Sequence, residues 1–207
     1  MHRGPSGTAT WVVIDPMRAF TDVRGTLALA FGAEELPPIV ATVQALSEHV
    51  SHRDPNDEWV WVRSIYEPEQ FSGDGSRPAL GALCTGENPV DLEWEPALAP
   101  IGIAKIVTKR VMDATNSPEF CDVVTGAASR RADAVVLTGF LLTSCVRDTA
   151  VSVAGLVGGS ETRVVVMLDL AAGRASSYQA DAFGMSPVDR TLATLHAAGV
   201  EVCGIPG

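Results

Sequence analysis

Residues 134–156 read AVVLTGFLLTSCVRDTAVSVAGL, and this stretch decides the predicted fold. The apolar run Ala134–Leu137 predicts a buried β-strand, which the threonine and glycine that follow it should end. After a short turn, Cys145 opens a predicted helix over Val146–Leu156. A strand, a tight turn and a helix in this order are typical of a fold in which strands and helices alternate.

The rest of the chain alternates in the same way between short apolar runs and longer helix-like segments. Further strands are predicted at 10–14, 58–65, 104–108, 163–168 and 200–203, and further helices at 36–50, 118–129 and 186–199. Because the strands are almost entirely apolar, both faces of their sheet should be covered. We therefore predict an α/β fold with a doubly wound, mainly parallel six-stranded sheet and helices on both faces. Residues 66–100, rich in Pro, Gly and acidic side chains, should form a long excursion lining a site or an interface.

The composition predicts a single globular domain over residues 1–207. Hydrophobic residues make up 46% of the chain and charged residues 19%, which argues against disorder. The net charge of −10 disfavours a nucleic acid or an anionic membrane as partner. No apolar run reaches the roughly 18 residues that a membrane span needs. The opening residues MHRGPSGTAT lack the apolar core of a signal peptide.

The cysteines favour a reducing compartment, so we expect a cytoplasmic location. Four are present without Cys-x-x-Cys spacing: Cys84, Cys121, Cys145 and Cys203. Only Cys145 follows a strand end and begins a helix, where free N–H groups and the helix dipole favour a nucleophilic thiolate. The alternative is a buried structural cysteine, because free cysteine is among the most buried residue types.

Two further reactive residues stand at predicted strand ends. Asp15 closes the first strand, and Lys109 closes the strand that reads AKIVTK. Doubly wound folds place their sites at the carboxyl ends of the strands, so Asp15, Lys109 and Cys145 are expected to meet in one crevice. Considered one at a time, each residue has a simpler explanation. Asp15 could cap the next segment, and Lys109 could be solvated.

Four segments resemble the isochorismatase-like cysteine hydrolases. VVIDPMRAF at 12–20 is similar to their opening strand with its aspartate, and VTKRVMDAT at 107–115 to their lysine segment. LTGFLLTSCVRDTAVSVAGL at 137–156 is similar to their nucleophile segment, and VVVMLDLAAGR at 164–174 to the strand after it. The segments occur in the order and with the spacing of the family, and the resemblance covers nearly the whole chain.

The resemblance implies a cysteine amidohydrolase, and we expect this one to need no metal or cofactor. It would cleave the C–N bond of a small amide or carbamoyl (ureido) compound through a thioester. Cys145 would be the nucleophile, Asp15 the proton carrier, and Lys109 the cation that lowers the pKa of the thiol. The backbone N–H groups of Leu141 and Cys145 would bind the oxyanion, next to a cis peptide bond between Phe140 and Leu141. Family members are commonly dimers or tetramers, so a homodimer or homotetramer is expected.

Some positions depart from the family pattern. Met17 stands where glutamine is common, and Leu141 and Leu142 are bulkier than the usual small polar residues, which predicts a more apolar pocket wall. Phe20 and Leu142 are candidate substrate contacts. Arg63 is another, as a carboxylate ligand or, in the alternative, as one partner of a surface ion pair.

A metal site of the nicotinamidase type is not expected, because residues 63–78 contain no histidine. His49 and His52 lie three apart at a predicted helix end, where a solvated position explains them better than a metal. Two other functions stay open. Vinyl-ether hydrolysis of the isochorismatase kind would need Asp15 as an acid but no thiol. A chain that has lost catalysis would act as a binding module.

Overall fold

Six parallel strands form one sheet in a computed structural model, which describes residues 8–68, 70–71, 80–102 and 104–204. The strands are Ala9–Ile14 (β1), Glu58–Ser64 (β2), Lys105–Lys109 (β3), Ala134–Phe140 (β4), Arg163–Ala172 (β5) and Glu201–Cys203 (β6). Their order across the sheet is β3-β2-β1-β4-β5-β6. Every neighbouring pair is parallel, so the predicted fold class is confirmed.

Helices cover both faces of this sheet. They are Arg18–Thr21 (α1), Thr26–Phe31 (α2), Pro37–Ser51 (α3), Pro118–Ser129 (α4), Arg147–Leu156 (α5) and Pro187–Ala197 (α6). The longest begin at prolines, whose missing N–H costs nothing in a first helical turn. None of the helices in the described part of the chain combines the length and apolar character that crossing a membrane requires.

The central strand β1 is buried on both faces, and its side chains alternate between two cores. Trp11 and Val13 pack with α1, α2 and α3 on one face. Val12 and Ile14 pack with α4, α5 and α6 on the other face. The period of two along a strand explains this division, because successive side chains point to opposite sides of the sheet. The continuous apolar run is therefore what a strand between two helical layers requires.

Strand β4 is longer than predicted, because Gly139 continues the strand where the sequence suggested an end. Its φ of 97° is one that side chains rarely adopt, and a Cβ there would lie 2.1 Å from the carbonyl oxygen of Ile14. The pairing of β4 with β5 shifts register between Leu137 and Gly139. The glycine therefore lets β4 continue to Phe140 in close contact with β1. The turn that follows β4 then lies at the carboxyl ends of the strands.

The helix after β4 also begins earlier than predicted. Leu142–Val146 forms a single π-helical turn, and α5 continues from Arg147. Cys145 consequently lies inside the first helical turns instead of opening the helix. The N–H of Val146 donates to the carbonyl oxygen of Leu141 at 3.2 Å, which is the wide i to i+5 bond of such a turn.

The excursion between β2 and β3 has little regular structure, as predicted, in the part that the structure describes. Residues 69 and 72–79 of that excursion lie outside the described residues. The described remainder includes short 3₁₀ turns at Pro89–Leu92 and Pro96–Leu98 and an antiparallel bridge between Trp94 and Met17. The fully buried Asp91 carboxylate attaches the excursion to the body of the protein by accepting N–H groups from Thr26 at 2.9 Å and Cys84 at 3.0 Å.

Replacing Gly139 by alanine should destabilise the fold strongly. The added Cβ meets the backbone of β1, and the positive φ adds strain, so we expect a loss of about 2–5 kcal/mol in the free energy of unfolding. The matched control is Gly155→Ala in α5, where a Cβ meets nothing within 4 Å. That variant should gain up to about 1 kcal/mol, because alanine is the better helix former. Urea unfolding followed by circular dichroism measures both; equal stability of the two variants would contradict this account.

Candidate active site

The sheet topology brings three strand ends to one crevice. Asp15 directly follows β1, Lys109 is the last residue of β3, and Cys145 lies in the turn after β4. Strands β1 and β4 are neighbours at the centre of the sheet. The strand order continues from β1 to β2 and β3 on one side, and from β4 to β5 and β6 on the other. A crevice forms at such a reversal, at the carboxyl ends of the strands. Strand β2 lies between β1 and β3 and contributes its last residue, Ser64, to the same place.

The Lys109 ammonium is the centre of the site. Its Nζ lies 3.0 Å from Asp15 Oδ2 and 3.4 Å from Cys145 Sγ. It also donates to Ser64 Oγ at 2.8 Å and to Tyr66 Oη at 3.0 Å. The side chains of Lys109 and Asp15 are both 0% exposed. Removing one partner of such a pair costs about 3–5 kcal/mol, because the other charge stays buried without compensation.

Asp15 is held in its orientation by the backbone and by both carboxylate oxygens. Its φ is 49°, in the left-handed region that residues other than glycine seldom adopt. Its N–H donates to the carbonyl oxygen of Val62 at 2.8 Å, which prolongs the β1–β2 ladder by one bond. Ser64 Oγ donates to Oδ1 at 2.8 Å, while Oδ2 faces Lys109. The carboxylate therefore has little freedom to turn away from the crevice.

Burial decides the protonation of the crevice. Burial alone would lower the pKa of Lys109, but Asp15, Cys145 and Tyr66 together raise it well above its usual value, so the ammonium persists. Burial raises the pKa of the Cys145 thiol, and the opposing effect of Lys109 is too small to reverse that direction. The site therefore contains a protonated Cys145 thiol and a charged Lys109 ammonium, which forms an ion pair with Asp15.

The prediction of a thiolate favoured by the helix start is wrong for this resting state. Cys145 is only 4% exposed, and it lies in the π-helical turn that leads into α5. The neighbouring Lys109 does lower the pKa of the thiol, as predicted, but burial outweighs it. A thiolate must therefore be generated by moving the thiol proton to another group of the site.

A cavity of about 300 Å³ lies beside the turn that precedes Cys145. Its described lining consists of Leu27, Phe31, Leu80, Leu141, Thr143, Ser144 and Arg174. The peptide bond between Phe140 and Leu141 is cis. Within the described ranges, the N–H of Leu141 donates to no backbone carbonyl, so it is free to meet a ligand oxygen. The volume is at the lower end of the range for small-molecule sites.

A larger cavity of about 690 Å³ lies at the opposite edge of the sheet. Glu58 and Lys105, at the amino ends of β2 and β3, are among its lining residues. Asp15, Lys109 and Cys145 belong to the described lining of neither cavity, but the smaller cavity is lined by Leu141, Thr143 and Ser144, which directly precede Cys145. This position points to the smaller cavity as the substrate site.

The structure does not bring the predicted substrate contacts to this cavity. Phe20 is 2% exposed in the core beneath α3, and Leu142 is 1% exposed in the core on the other face of the sheet. Arg63 Nε donates to Thr108 Oγ1 at 3.0 Å, across β2 and β3, which is neither a ligand contact nor an ion pair. Met17 is buried as well, and its sulfur accepts the Ser64 N–H at 3.3 Å.

Ser64 and Tyr66 are further polar components of the crevice, and the sequence analysis gave Ser64 no role. Ser64 contacts Asp15 and Lys109, and Tyr66 contacts Lys109 and lies 3.8 Å from Cys145 Sγ. One signal was present in the sequence. Ser64 ends the apolar run of β2 as Asp15 ends that of β1, and both ends meet at the same edge of a parallel sheet.

The histidines of helix α3 lie away from the crevice. His49 is half-buried against Trp11, with 4.4 Å between the ring centroids, and His52 Nδ1 contacts the carbonyl oxygen of Glu48 at the exposed helix end. Across the described ranges, no group of three or more His, Cys, Asp or Glu side chains is arranged to hold a metal ion.

Comparison with known proteins shows similarity in structure. No protein-family model matches the sequence, and no curated protein matches it. N-carbamoylsarcosine amidase from Thermoplasma acidophilum is 20% identical with a TM-score of 0.64, over 97% of this chain and 99% of that one. A cysteine hydrolase from Pseudomonas syringae pv. phaseolicola is 20% identical with a TM-score of 0.66, over 97% and 91%. An isochorismatase-like hydrolase from Alkaliphilus metalliredigens is 19% identical with a TM-score of 0.64, over 95% and 94%.

The chain has the isochorismatase-like hydrolase fold. The resemblance seen in the sequence is thereby confirmed for the fold. The isochorismatase-like proteins with which it shares this fold include a pyrazinamidase/nicotinamidase from Streptococcus mutans, at 20% identity and a TM-score of 0.64, over 95% of this chain and 99% of that one. At such identities the activity of this chain has to be argued from its own side chains.

The Cys145 thiol should titrate above the value of about 8.5 of an ordinary cysteine. Burial disfavours the thiolate, and alkylation by iodoacetamide requires it, so the alkylation rate should rise with pH through a raised midpoint. Lys109→Met should move the midpoint higher still, because Lys109 lowers the pKa of the thiol. Lys105→Met, at the far end of β3, is the matched control and should leave it unchanged. Mass spectrometry of the Cys145 peptide measures the rate; a midpoint lowered by Lys109→Met would contradict this electrostatic account.

Proposed function

We propose that this isochorismatase-like protein is a cysteine hydrolase that cleaves the C–N bond of a small amide or carbamoyl (ureido) compound through a thioester on Cys145. The observation that carries the proposal is the buried contact of Lys109 Nζ with Cys145 Sγ and with Asp15 Oδ2, beside a small cavity. A thiol, a cation and a carboxylate in contact provide a nucleophile, its stabilisation and a proton acceptor. The names of fold neighbours, among them an amidase and a cysteine hydrolase, support the same chemistry.

Acylation begins when the thiol proton passes to Asp15 and the sulfur attacks the carbonyl carbon. The carbonyl oxygen becomes an oxyanion, for which we propose the N–H groups of Leu141 and Cys145 as donors. Each such donor stabilises the transition state by roughly 2.7–4 kcal/mol. Asp15 then gives the proton to the departing nitrogen, the C–N bond breaks, and the acyl group remains on sulfur as a thioester.

Deacylation uses the same carboxylate as a base. Asp15 accepts a proton from water as the water oxygen attacks the thioester carbon, and the C–S bond then breaks. The sulfur leaves as a thiolate and recovers a proton from Asp15. The net result is the addition of water across the C–N bond, and the site returns to thiol, ammonium and carboxylate. Nucleophile, proton carrier and oxyanion donors are all groups of the chain, so the proposed cycle has no step that calls for a metal or cofactor.

Cys145→Ala should abolish amide turnover. Loss of a catalytic nucleophile commonly lowers kcat by about 10⁴-fold or more. The matched control is Cys203→Ala, which removes a half-buried thiol outside the crevice and should retain activity within about 3-fold. Ammonia release from a panel of small primary amides and ureido acids measures turnover, and rapid quenching followed by mass spectrometry detects the thioester on the Cys145 peptide.

Three outcomes would overturn the proposal. Native amide turnover by Cys145→Ala would exclude the thiol as nucleophile. Isochorismate turnover that survives in Cys145→Ala, with no amide turnover by the native protein, would favour the vinyl-ether hydrolase. The absence of every one of these activities would leave the binding module as the better description.

Arg174 gives the cavity a means of recognising an anionic substrate. It is the one charged side chain among the described lining residues. Its guanidinium stacks over the ring of Phe31 at 4.1 Å, and its Nη1 lies 3.7 Å from Glu35 Oε1. The stack fixes the plane of the guanidinium, and the single long contact with Glu35 leaves other N–H groups to donate. A planar guanidinium suits a carboxylate, so we propose amides or ureides that carry a carboxylate as substrates.

A matched pair of substrates tests this preference. N-carbamoylglycine carries a carboxylate, and (2-hydroxyethyl)urea has a neutral hydroxymethyl group in its place. Arg174→Gln should lower kcat/KM for the acid about 10–100-fold, mainly through KM, because a hydrogen bond to a charged group is lost. The neutral compound should change by less than about 3-fold, and Arg147→Gln, at an arginine paired with Asp148, serves as control. Equal losses for both compounds would show that Arg174 acts on the fold and not on the charge.

A further inference from the structure

Tyr66 places a buried hydroxyl against the sulfur of the nucleophile. Its Oη lies 3.8 Å from Cys145 Sγ, within reach of a hydrogen bond to sulfur. The backbone N–H of Tyr66 donates to the carbonyl oxygen of Cys84 at 3.0 Å, and the ring of Phe71 meets the Tyr66 ring edge-on with 5.0 Å between the centroids. Tyr66 is 2% exposed and Cys145 is 4% exposed. The hydroxyl is therefore fixed beside the sulfur in a place that solvent hardly reaches.

The hydroxyl proton of Tyr66 is available for donation. Its oxygen accepts a hydrogen bond from Lys109 Nζ at 3.0 Å, which leaves the O–H itself free to donate. Two acceptors are in reach, namely Ser64 Oγ at 2.9 Å and Cys145 Sγ at 3.8 Å. When the sulfur is a thiol, the nearer serine is the better acceptor. When the sulfur is a thiolate, its negative charge makes it the stronger acceptor of the two.

Lys109 is shared among too many acceptors to stabilise a thiolate alone. An ammonium has three N–H groups. Lys109 Nζ has four hydrogen-bond acceptors: Ser64 Oγ at 2.8 Å, Tyr66 Oη at 3.0 Å, the carbonyl oxygen of Val111 at 3.3 Å and Cys145 Sγ at 3.4 Å. The sulfur is the most distant of the four. A thiolate in this place therefore gains from a second donor, because a buried charge without hydrogen bonds is costly.

The thiol proton has a direct destination, so Tyr66 need not carry it. Burial, and to a smaller extent Asp15, raise the pKa of Cys145, and a side-chain hydrogen bond between the two residues contributes to the effect of Asp15. Asp15 Oδ2 lies 3.0 Å from Lys109 Nζ, yet this buried oxygen is left without a hydrogen-bond donor of good geometry among the described residues. Asp15 Oδ2 is therefore open to receive the thiol proton directly.

We propose that Tyr66 is a catalytic residue whose hydroxyl donates a hydrogen bond to the Cys145 thiolate, an inference that rests on the proposed cysteine chemistry. In acylation the S–H bond breaks, the proton binds Asp15 Oδ2, and the sulfur keeps the electron pair with which it attacks the carbonyl carbon. Tyr66 keeps its own proton and turns its O–H from Ser64 to the sulfur. In deacylation the C–S bond breaks with its electron pair on sulfur, and the same O–H stabilises the departing thiolate.

The groups around the sulfur set the sign of the effect. Burial raises the pKa of the Cys145 thiol most, and Lys109 lowers it. Asp15 raises the pKa as well, whereas the hydrogen bond from Tyr66 lowers it. Cys84, on the excursion, stays a neutral thiol because burial above all raises its pKa. Burial likewise raises the pKa of Tyr66 well above its usual value, so Tyr66 keeps its proton. Loss of the Tyr66 hydroxyl should therefore make the Cys145 thiol less acidic.

The chain has two tyrosines, which allows a site-specific test of this hydrogen bond. Tyr178→Phe removes the other tyrosine, which is 42% exposed, so that fluorotyrosine supplied during expression enters at position 66 alone. Fluorine withdraws electrons and makes the Tyr66 O–H a stronger donor with little change in size. The pH midpoint of Cys145 alkylation should fall by about 0.5 pH unit, because a stronger hydrogen bond favours the thiolate. The matched control is Tyr178→Phe with ordinary tyrosine, which should titrate like the native protein.

Tyr66→Phe tests the same hydrogen bond in the opposite direction. The alkylation midpoint should rise by about one pH unit, which corresponds to a roughly 10-fold loss of thiol acidity, as expected when a hydrogen bond to a charged group is removed. The sign of the shift separates donation from an indirect effect. If Tyr66 only occupied one N–H group of Lys109, its loss would free that N–H for the sulfur and lower the midpoint.

The role of Tyr66 would be overturned by an unchanged or lowered midpoint in Tyr66→Phe, or by an unchanged or raised midpoint with fluorotyrosine. Should Tyr66→Phe fail to fold, as circular dichroism would show, the fluorotyrosine protein decides alone. These titrations use no substrate, so they are independent of the ammonia-release assay of Cys145→Ala. Native turnover by Cys145→Ala would refute the cysteine chemistry itself, and with it the catalytic role of the hydrogen bond, whatever the midpoints.

Discussion

The buried ion pair of Lys109 and Asp15 is the constraint on which the site depends. Both side chains are 0% exposed, so each is tolerable in the core only while the other is present. Their contact fixes the position of the ammonium against the sulfur of Cys145, and it keeps the crevice neutral while the thiol is protonated. The same neutrality explains why the proton has to stay within the site when the sulfur becomes a nucleophile.

The fold was predictable because hydrophobic period and chain order act over whole segments. The apolar runs at β1, β2 and β4 required cover on both faces, and alternation with helices then left a parallel sheet. Local details were less accessible. Gly139 is a strand-ending signal in most sequences, but here its positive φ lets β4 continue against Ile14. The short helices α1 and α2 were not predicted, since four and six residues carry little periodic signal.

The meeting of Asp15, Lys109 and Cys145 was predictable because parallel strands share one carboxyl edge. The direction of the pKa shift of the Cys145 thiol was not predictable. It depends on how deeply the turn is buried, and the spacing of residues in the sequence does not reveal that depth. Phe20 and Leu142 were proposed from the resemblance and Arg63 from the chemistry of its guanidinium, and their side chains lie in the cores or across β2 and β3. Assembly into dimers or tetramers, the extent of the domain and the cytoplasmic location stay predictions.

Lys109 belongs to β3, which is an edge strand of the sheet and pairs with β2 over only five residues. Outer strands fray more readily than central ones, because half of their ladder is missing. Local opening of β3 would draw the lysine out of the crevice and leave the aspartate without its counter-charge, while β1 and β4 stayed paired. Heating would then inactivate the protein at a temperature where most of its sheet is still intact.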